Sequence, residues 1–377
     1  MKSVLGGALW VSLVAAGAIS TVSAQDDVKR LNTTQCGVFI FVEVSRDKNP
    51  DGTDAGPELE EGANTLSFLY DTGAGFTVVD PDALEELTGT RVQSGKRVNI
   101  TNARSGDAQF TSFPTQVRDL DRLSLALGRE IDGILAHDAF RGFVADLNYE
   151  DGTITLTRGS LPRPNRRDIF STKGKDDRPW IRVNFAGRTR KVLIDSGSSG
   201  SFSVNDIEKF SLTTEPVRTG YSVRYSSIED RLGGRLDGDA RFGDFTLEQP
   251  MLSNVPGSEL FGGRVLRHFN LSYDADNRRI RFTPRKGAEI PPPPSAMTGG
   301  FHWVPSNGEL EVKNLIEGFE NAHGGIEVGD RAIAVNGTPM AERGCSNPDK
   351  TPESYELTIA RGEETLGFTI TPQVLIP

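Results

Sequence analysis

Leu66-Ser67-Phe68-Leu69-Tyr70-Asp71-Thr72-Gly73-Ala74 and Arg190-Lys191-Val192-Leu193-Ile194-Asp195-Ser196-Gly197-Ser198 are one local design written twice, 124 residues apart. Each is an apolar strand pattern that runs into an Asp, a hydroxyl residue and a Gly, which is turn chemistry at a strand end. A short apolar stretch follows each copy, then a helix-start residue, Asp80 before Pro81 in the first and Asn205 in the second. A further correspondence holds at an offset of 126: Ile134-Leu135-Ala136 with Leu260-Phe261-Gly262, continuing through Arg141/Arg267, Phe143/Phe269, Ile154/Ile280 and Thr157/Thr283. Each half is therefore one complete unit of the same plan. The pattern predicts an all-β dominated chain with two related lobes, 25–159 and 176–285. Residues 160–175, with Pro162, Pro164 and a charged run, read as a linker, and 286–300, with Pro291 to Pro294, as a stiffer one.

At 377 residues the chain has room for two or three domains. Its 41 Gly and 21 Pro favour many turns and short strands. A net charge of −10 repels a phosphate backbone, so nucleic acid is not an expected partner. Two Cys exclude a disulfide scaffold, and the four His, at 137, 268, 302 and 323, fall in no metal-hydrolase spacing. No metal and no cofactor are expected. Gly73-Ala74-Gly75 lacks the third Gly and the acidic ribose ligand of a dinucleotide site, and the Ser-rich run 196–201 lacks a Gly-x-Ser-x-Gly elbow.

Residues 1–24 read as a signal peptide: Lys2, an apolar run from Val4 to Ile19, and the small-residue cleavage site Val22-Ser23-Ala24. The run is shorter than the ~20 residues a spanning helix wants, so the mature protein is expected to be exported, periplasmic or secreted, with no membrane span. Whether residues 25–60 act as a propeptide, and whether Cys36 and Cys345 pair, the sequence leaves open.

If a pseudo-two-fold axis relates the lobes, the ends of the equivalent strands meet and bring Asp71 and Asp195 together. Two carboxylates in contact share a proton, so one serves as base toward water while the other donates to a carbonyl oxygen. Gly73 and Gly197 allow close backbone approach, and Thr72 and Ser196 supply hydroxyls to tie the loops. These residues resemble aspartic peptidases of the pepsin and retropepsin type. The resemblance implies a bilobal pepsin-like acid protease fold acting on peptide or unfolded protein, with Ile134, Leu135, Ala136 and Leu260, Phe261, Gly262 as buttresses of the catalytic loops. Departures are Tyr70 directly before Asp71, Ala136 in place of a buttress Gly, and Gly75 and Gly200 after the loops. The rival reading is a catalytically silent peptide-binding or scaffold protein of the cell envelope using the same cleft. His137, after the first buttress, is read as structural.

Residues 301–377 resemble a small α+β PDZ-like domain, through Gly308 to Val312, Gly325 to Gly337 and Tyr355 to Gly362. Val335-Asn336-Gly337 reads as a strand entering a tight turn. The resemblance implies capture of a peptide ligand beside a strand edge, with a carboxylate nest near Gly299-Gly300-Phe301-His302. Pro348 and Pro352 leave room for only one or two turns where the groove helix belongs, so a purely structural role stands equally.

Each lobe also carries a turn-rich hairpin between its Asp and its buttress, with tips near Asn102 to Asp107 and Ser226 to Asp230. The resemblance makes Asn102, Ser105, Gly106 and Asp107 the flap over the substrate. It also places a carboxylate-bonding hydroxyl after each loop. Ser198 offers one to Asp195, whereas Ala74 offers none to Asp71, so Asp71 is expected to hold the shared proton.

Overall fold

The computed structural model describes residues 28–46, 65–174, 176–285 and 290–377. The predicted signal peptide, and the parts of 25–60 other than 28–46, lie outside the described residues. Strands dominate. Among the described residues no helix is long and apolar enough to cross a membrane.

The first duplicated segment builds a seven-stranded sheet, and its strand Arg97–Ser105 returns to pair with Phe39–Arg46, which closes six strands into a barrel. Inside it Val42, Phe68 and Leu135 are almost fully buried, each worth roughly 1.5–3 kcal/mol of transfer from water. Residues 28–46 form three strands of the sheets, so they are part of the fold itself. The second segment builds a nine-stranded sheet over an aromatic core in which Phe185 meets Phe202, and Phe242 meets Phe261 and Phe282, edge to face.

The two sheets repeat one arrangement. Thr65–Asp71 runs parallel to Gly133–Ala136 with Asp71 opposite Ala136, and Arg188–Asp195 runs parallel to Leu260–Gly262 with Asp195 opposite Gly262. On their other side Gly133–Ala136 and Leu260–Gly262 pair antiparallel with the three-residue strands Thr77–Val79 and Phe202–Val204. Helix Pro81–Thr88 starts as the sequence indicates, with the Asp80 carboxylate accepting from the Asp82 N–H at 2.9 Å, and stops at left-handed Gly89. Its counterpart is only a 3₁₀ turn, Ile207–Lys209, preceded by Asp206 rather than capped by Asn205.

A six-stranded sheet joins the halves. Its central strands, Phe143–Asn148 and Phe269–Asp274, pair antiparallel with Asp146 opposite Ser272, Asn148 opposite Asn270 and Val144 opposite Asp274. Those partners exchange under the 126-residue offset, so a pseudo-two-fold axis passes between Asp146 and Ser272, whose side chains are hydrogen-bonded. The stretch read as the first linker contributes strand Ile169–Ser171 to this sheet.

Residues 301–370 form a separate sheet in the order Phe301–Ser306, Glu309–Leu315, Arg331–Val335, Tyr355–Arg361, Glu364–Ile370. Ala296–Thr298, inside the stretch read as the second linker, pairs with Gln373–Ile376. Asn336 and Gly337 both have positive φ in the two-residue turn between Val335 and Thr338. Between Met340 and Tyr355 lie two single 3₁₀ turns, Met340–Glu342 and Pro348–Lys350.

That short region is anchored to the first barrel. Cys345 is disulfide-bonded to Cys36, the Gly344 N–H donates to the Gly128 carbonyl at 2.9 Å, and the Arg343 guanidinium donates to the carbonyls of Leu125 and Ala126. Arg235 of the second sheet donates to the carbonyls of Pro293 and Pro294, each at 3.1 Å, and to Pro377. The disulfide closes a loop across a sequence separation of 309. Chain-entropy reasoning for a loop of that length gives at most about 6 kcal/mol. Cys345→Ser should therefore lower the urea midpoint clearly under oxidising conditions, and reductant should bring the parent down to the variant. Equal midpoints without reductant would contradict a stabilising bridge.

Candidate active site

Asp71 and Asp195 end the equivalent inner strands, and the loops that follow them interlock across the axis. The Thr72 hydroxyl donates to the Ile194 carbonyl at 2.7 Å and accepts from the Ser196 N–H at 3.1 Å. The Ser196 hydroxyl donates to the Tyr70 carbonyl at 2.8 Å and accepts from the Thr72 N–H at 3.0 Å. Both hydroxyl residues are buried, so each bond satisfies a group that would otherwise be stranded away from water.

The glycines serve the same approach. A Cβ on Gly73 would lie 2.7 Å from Asp195 Cγ, and one on Gly197 would lie 2.5 Å from Asp71 Cγ. Each carboxyl thus packs over the bare Cα of the opposite loop. The Gly73 and Ala74 N–H groups donate to Asp71 Oδ1 at 2.7 and 3.1 Å, and the Gly197 N–H to Asp195 Oδ1 at 3.1 Å.

The sequence departures have local accommodations. Ala136 is fully buried in extended backbone at φ −83°, where an L residue carries no strain, and its N–H donates to the Thr77 hydroxyl. Gly262 has less freedom, because a Cβ there would come within 2.5 Å of the Gly200 carbonyl oxygen. Tyr70 faces away from the loop into the first core, its ring 5.1 Å from that of Phe140.

Burial raises both carboxyls. At Asp195 the charge of Asp71 and the hydrogen bond between the pair add to burial, and the Gly197 N–H opposes them, leaving it well above the usual carboxylate range. At Asp71 burial is opposed by the bond from Asp195 and by the N–H groups of Gly73, Ala74 and Gly197. Two N–H groups aimed at Asp71 against one at Asp195 favour the negative charge on Asp71 and the shared proton on Asp195. This reverses the expectation drawn from Ser198, whose hydroxyl accepts from the Gly200 N–H at 3.3 Å and makes no bond to the carboxylate. Main-chain donors, invisible as residue types, outweigh the one hydroxyl that the sequence displays.

The pair lies in the lining of a cleft of about 1210 Å³, whose wall includes Leu123 and Leu127 of the first lobe and Tyr221 and Arg224 of the second. His137 also lines it, buried and held toward its neutral form by that burial. The flap expectation is corrected here, since none of Asn102, Ser105, Gly106 and Asp107 lines the cleft. Ser105 is buried with its hydroxyl accepting from the Asn32 N–H, the Asp107 N–H donates to the Arg30 carbonyl, and a Cβ on Gly106 would meet that same carbonyl at 2.3 Å. The first hairpin is thus packed on the chain at Arg30 to Asn32. The second hairpin, Val217–Val223 with Ile228–Arg235, lines the cleft instead. So do Phe301, His302 and Trp303 from the C-terminal sheet and Lys350 from the 3₁₀ turn Pro348–Lys350, which no repeat in the sequence could have indicated.

Comparison of the sequence with models of known protein families and with curated proteins found no match.

The loop interlock makes a measurable demand. Thr72→Val and Ser196→Ala should each cost about 2 kcal/mol, two buried bonds at about 1 kcal/mol apiece. The double variant should depart from the sum by at least about 0.5 kcal/mol, because both act on one pair of loops. Urea unfolding of the four proteins measures this, and strictly additive losses would count against an interlock.

Proposed function

We propose that the chain is an exported aspartic endopeptidase, with lobes 25–159 and 176–285 in the bilobal arrangement of pepsin-like enzymes and a PDZ-like domain from 301 to 377. The observation that carries this reading is the buried, hydrogen-bonded pair Asp71 and Asp195, held across a pseudo-two-fold axis in a cleft large enough for an extended peptide. A disulfide between Cys36 and Cys345 agrees with an oxidising compartment outside the cytosol.

The chemistry follows from where the proton sits. Ionised Asp71 takes a proton from a water held between the carboxyls, and the water oxygen bonds to the scissile carbonyl carbon. Asp195 gives its proton to the carbonyl oxygen, which yields a neutral diol. Collapse of the diol returns one hydroxyl proton to Asp195, and the proton on Asp71 passes to the departing nitrogen. The main-chain donors around Asp71 hold its charge in place before substrate arrives. Two single turns in place of a groove helix favour a structural role for the PDZ-like domain over independent peptide capture.

Purified mature protein should cleave unfolded casein somewhere between pH 3 and 8, and Asp71→Asn or Asp195→Asn should abolish cleavage with the fold intact. A folded parent with no cleavage across that range would refute the enzyme and favour the silent scaffold. Stability gives an independent check. A carboxyl raised in the folded state costs stability as pH climbs from the ordinary carboxylate range through its folded pKa. Asp195→Asn removes that cost, so its melting temperature relative to the parent should rise with pH over that interval. A difference that stays flat or falls would contradict the raised, shared proton.

A further inference from the structure

Where the second lobe's hairpin meets the C-terminal sheet, Gly220, Tyr221, Arg231, His302 and Lys350 line the cleft together. Two of them, Arg231 and His302, carry buried polar atoms without a hydrogen-bond partner. The Arg231 Nε is buried without a partner, and its Nη2 reaches the Thr219 carbonyl only at 3.5 Å. Glu229, two residues back on the same strand, accepts from the Ser227 hydroxyl, and among the described residues no ion pair joins it to Arg231. The charge felt at Arg231 is that of another cation, Arg264. His302 is 8% exposed, and neither ring nitrogen makes a hydrogen bond of good geometry, the polar side chain in reach being that of Asn314. The charged groups around it are Lys350, Arg231 and Arg218, all cationic, with Arg218 paired to Asp230 at 3.4 Å. Asn314, opposite His302 in the sheet register, accepts from the Tyr221 hydroxyl at 2.9 Å.

These groups surround a gap. Gly220 has φ +126°, and a Cβ placed on it would lie 3.7 Å from the His302 ring and 3.8 Å from Arg231 Nη2. The bare Cα thus leaves room between a guanidinium and an imidazole in a protein whose net charge is −10. A buried cation with no anion beside it is costly, and a bound carboxylate accepting charge-assisted bonds removes that cost.

We infer that Arg231 and His302, over Gly220, form a subsite for an acidic side chain of the bound polypeptide. The inference rests on the peptidase reading for its occupant, and its chemistry is that of a Glu or Asp carboxylate. The site is built from side chains of two domains, and the groups proposed to hold the ligand are separate from the Asp71 and Asp195 pair. Lys350 and Arg224 add positive potential along the same wall and steer acidic chains toward a molecule that otherwise repels them.

The test profiles cleavage sites in a denatured protein mixture, then compares matched acetylated and amidated peptides carrying Glu or Gln at the enriched position. The parent should favour Glu at one fixed distance from the scissile bond by at least about tenfold in kcat/KM. Arg231→Met should bring the ratio near one while Gln peptides are still cut, Arg231→Lys should keep part of it, and His302→Gln should lower it. Binding of the same peptides to Asp71→Asn protein, read by fluorescence anisotropy, separates this claim from the peptidase reading, because a Glu preference there needs no turnover. No Glu preference in either assay, a preference unchanged in both the Arg231→Met and His302→Gln proteins, or one that appears only with a free C-terminal carboxylate would overturn the subsite.

Discussion

Four hydrogen bonds made by two buried hydroxyls, those of Thr72 and Ser196, govern the rest of the arrangement. They link the main chains of two loops that would otherwise be driven apart by the carboxyls they carry. Two buried acids in contact are unfavourable unless they share a proton, and sharing needs a fixed separation. The hydroxyls supply that separation, and the glycines at 73 and 197 let each acid settle over the opposite loop. The joining sheet repeats the symmetry at larger scale, with Asp146 opposite Ser272.

The symmetry is then broken where chemistry needs it broken. Asp71 accepts from two main-chain donors and Asp195 from one, so a nearly two-fold framework holds two carboxyls in unequal surroundings. The buttresses differ as well, Ala136 tolerating a methyl that the Gly200 carbonyl forbids at Gly262. Around the pair the cleft is lopsided, since the first hairpin is packed on Arg30 to Asn32 and the second lies along the opening with the C-terminal sheet beside it.

What repeats in the sequence was legible from it. The strand-to-loop turns at Asp71 and Asp195, the segments at Ile134 and Leu260, and the joining strands all follow one of two offsets, because the same backbone plan reuses the same residue types. The Asn336-Gly337 turn was legible for a local reason, as few residues accept two successive positive φ values. What depends on distant partners was not. Nothing in Ser105-Gly106-Asp107 says that Arg30 lies against it, and nothing in Cys36 says that Cys345 comes within a Cα separation of 5.5 Å. The surroundings of the shared proton were not legible for a related reason, since the N–H groups that bear on it are carried by every residue and only geometry aims them.

The central claim is that Asp71 and Asp195 titrate as one buried pair. Carbon-13 NMR of carboxyl-labelled aspartate, followed from pH 2 to 9 in the parent and in Asp195→Asn, tests it most directly. Two coupled resonances should appear, one completing its titration well above the usual carboxylate range, and that high step should vanish in the variant while the remaining partner titrates alone. Two resonances titrating independently in the ordinary range, unchanged by the substitution, would contradict the account.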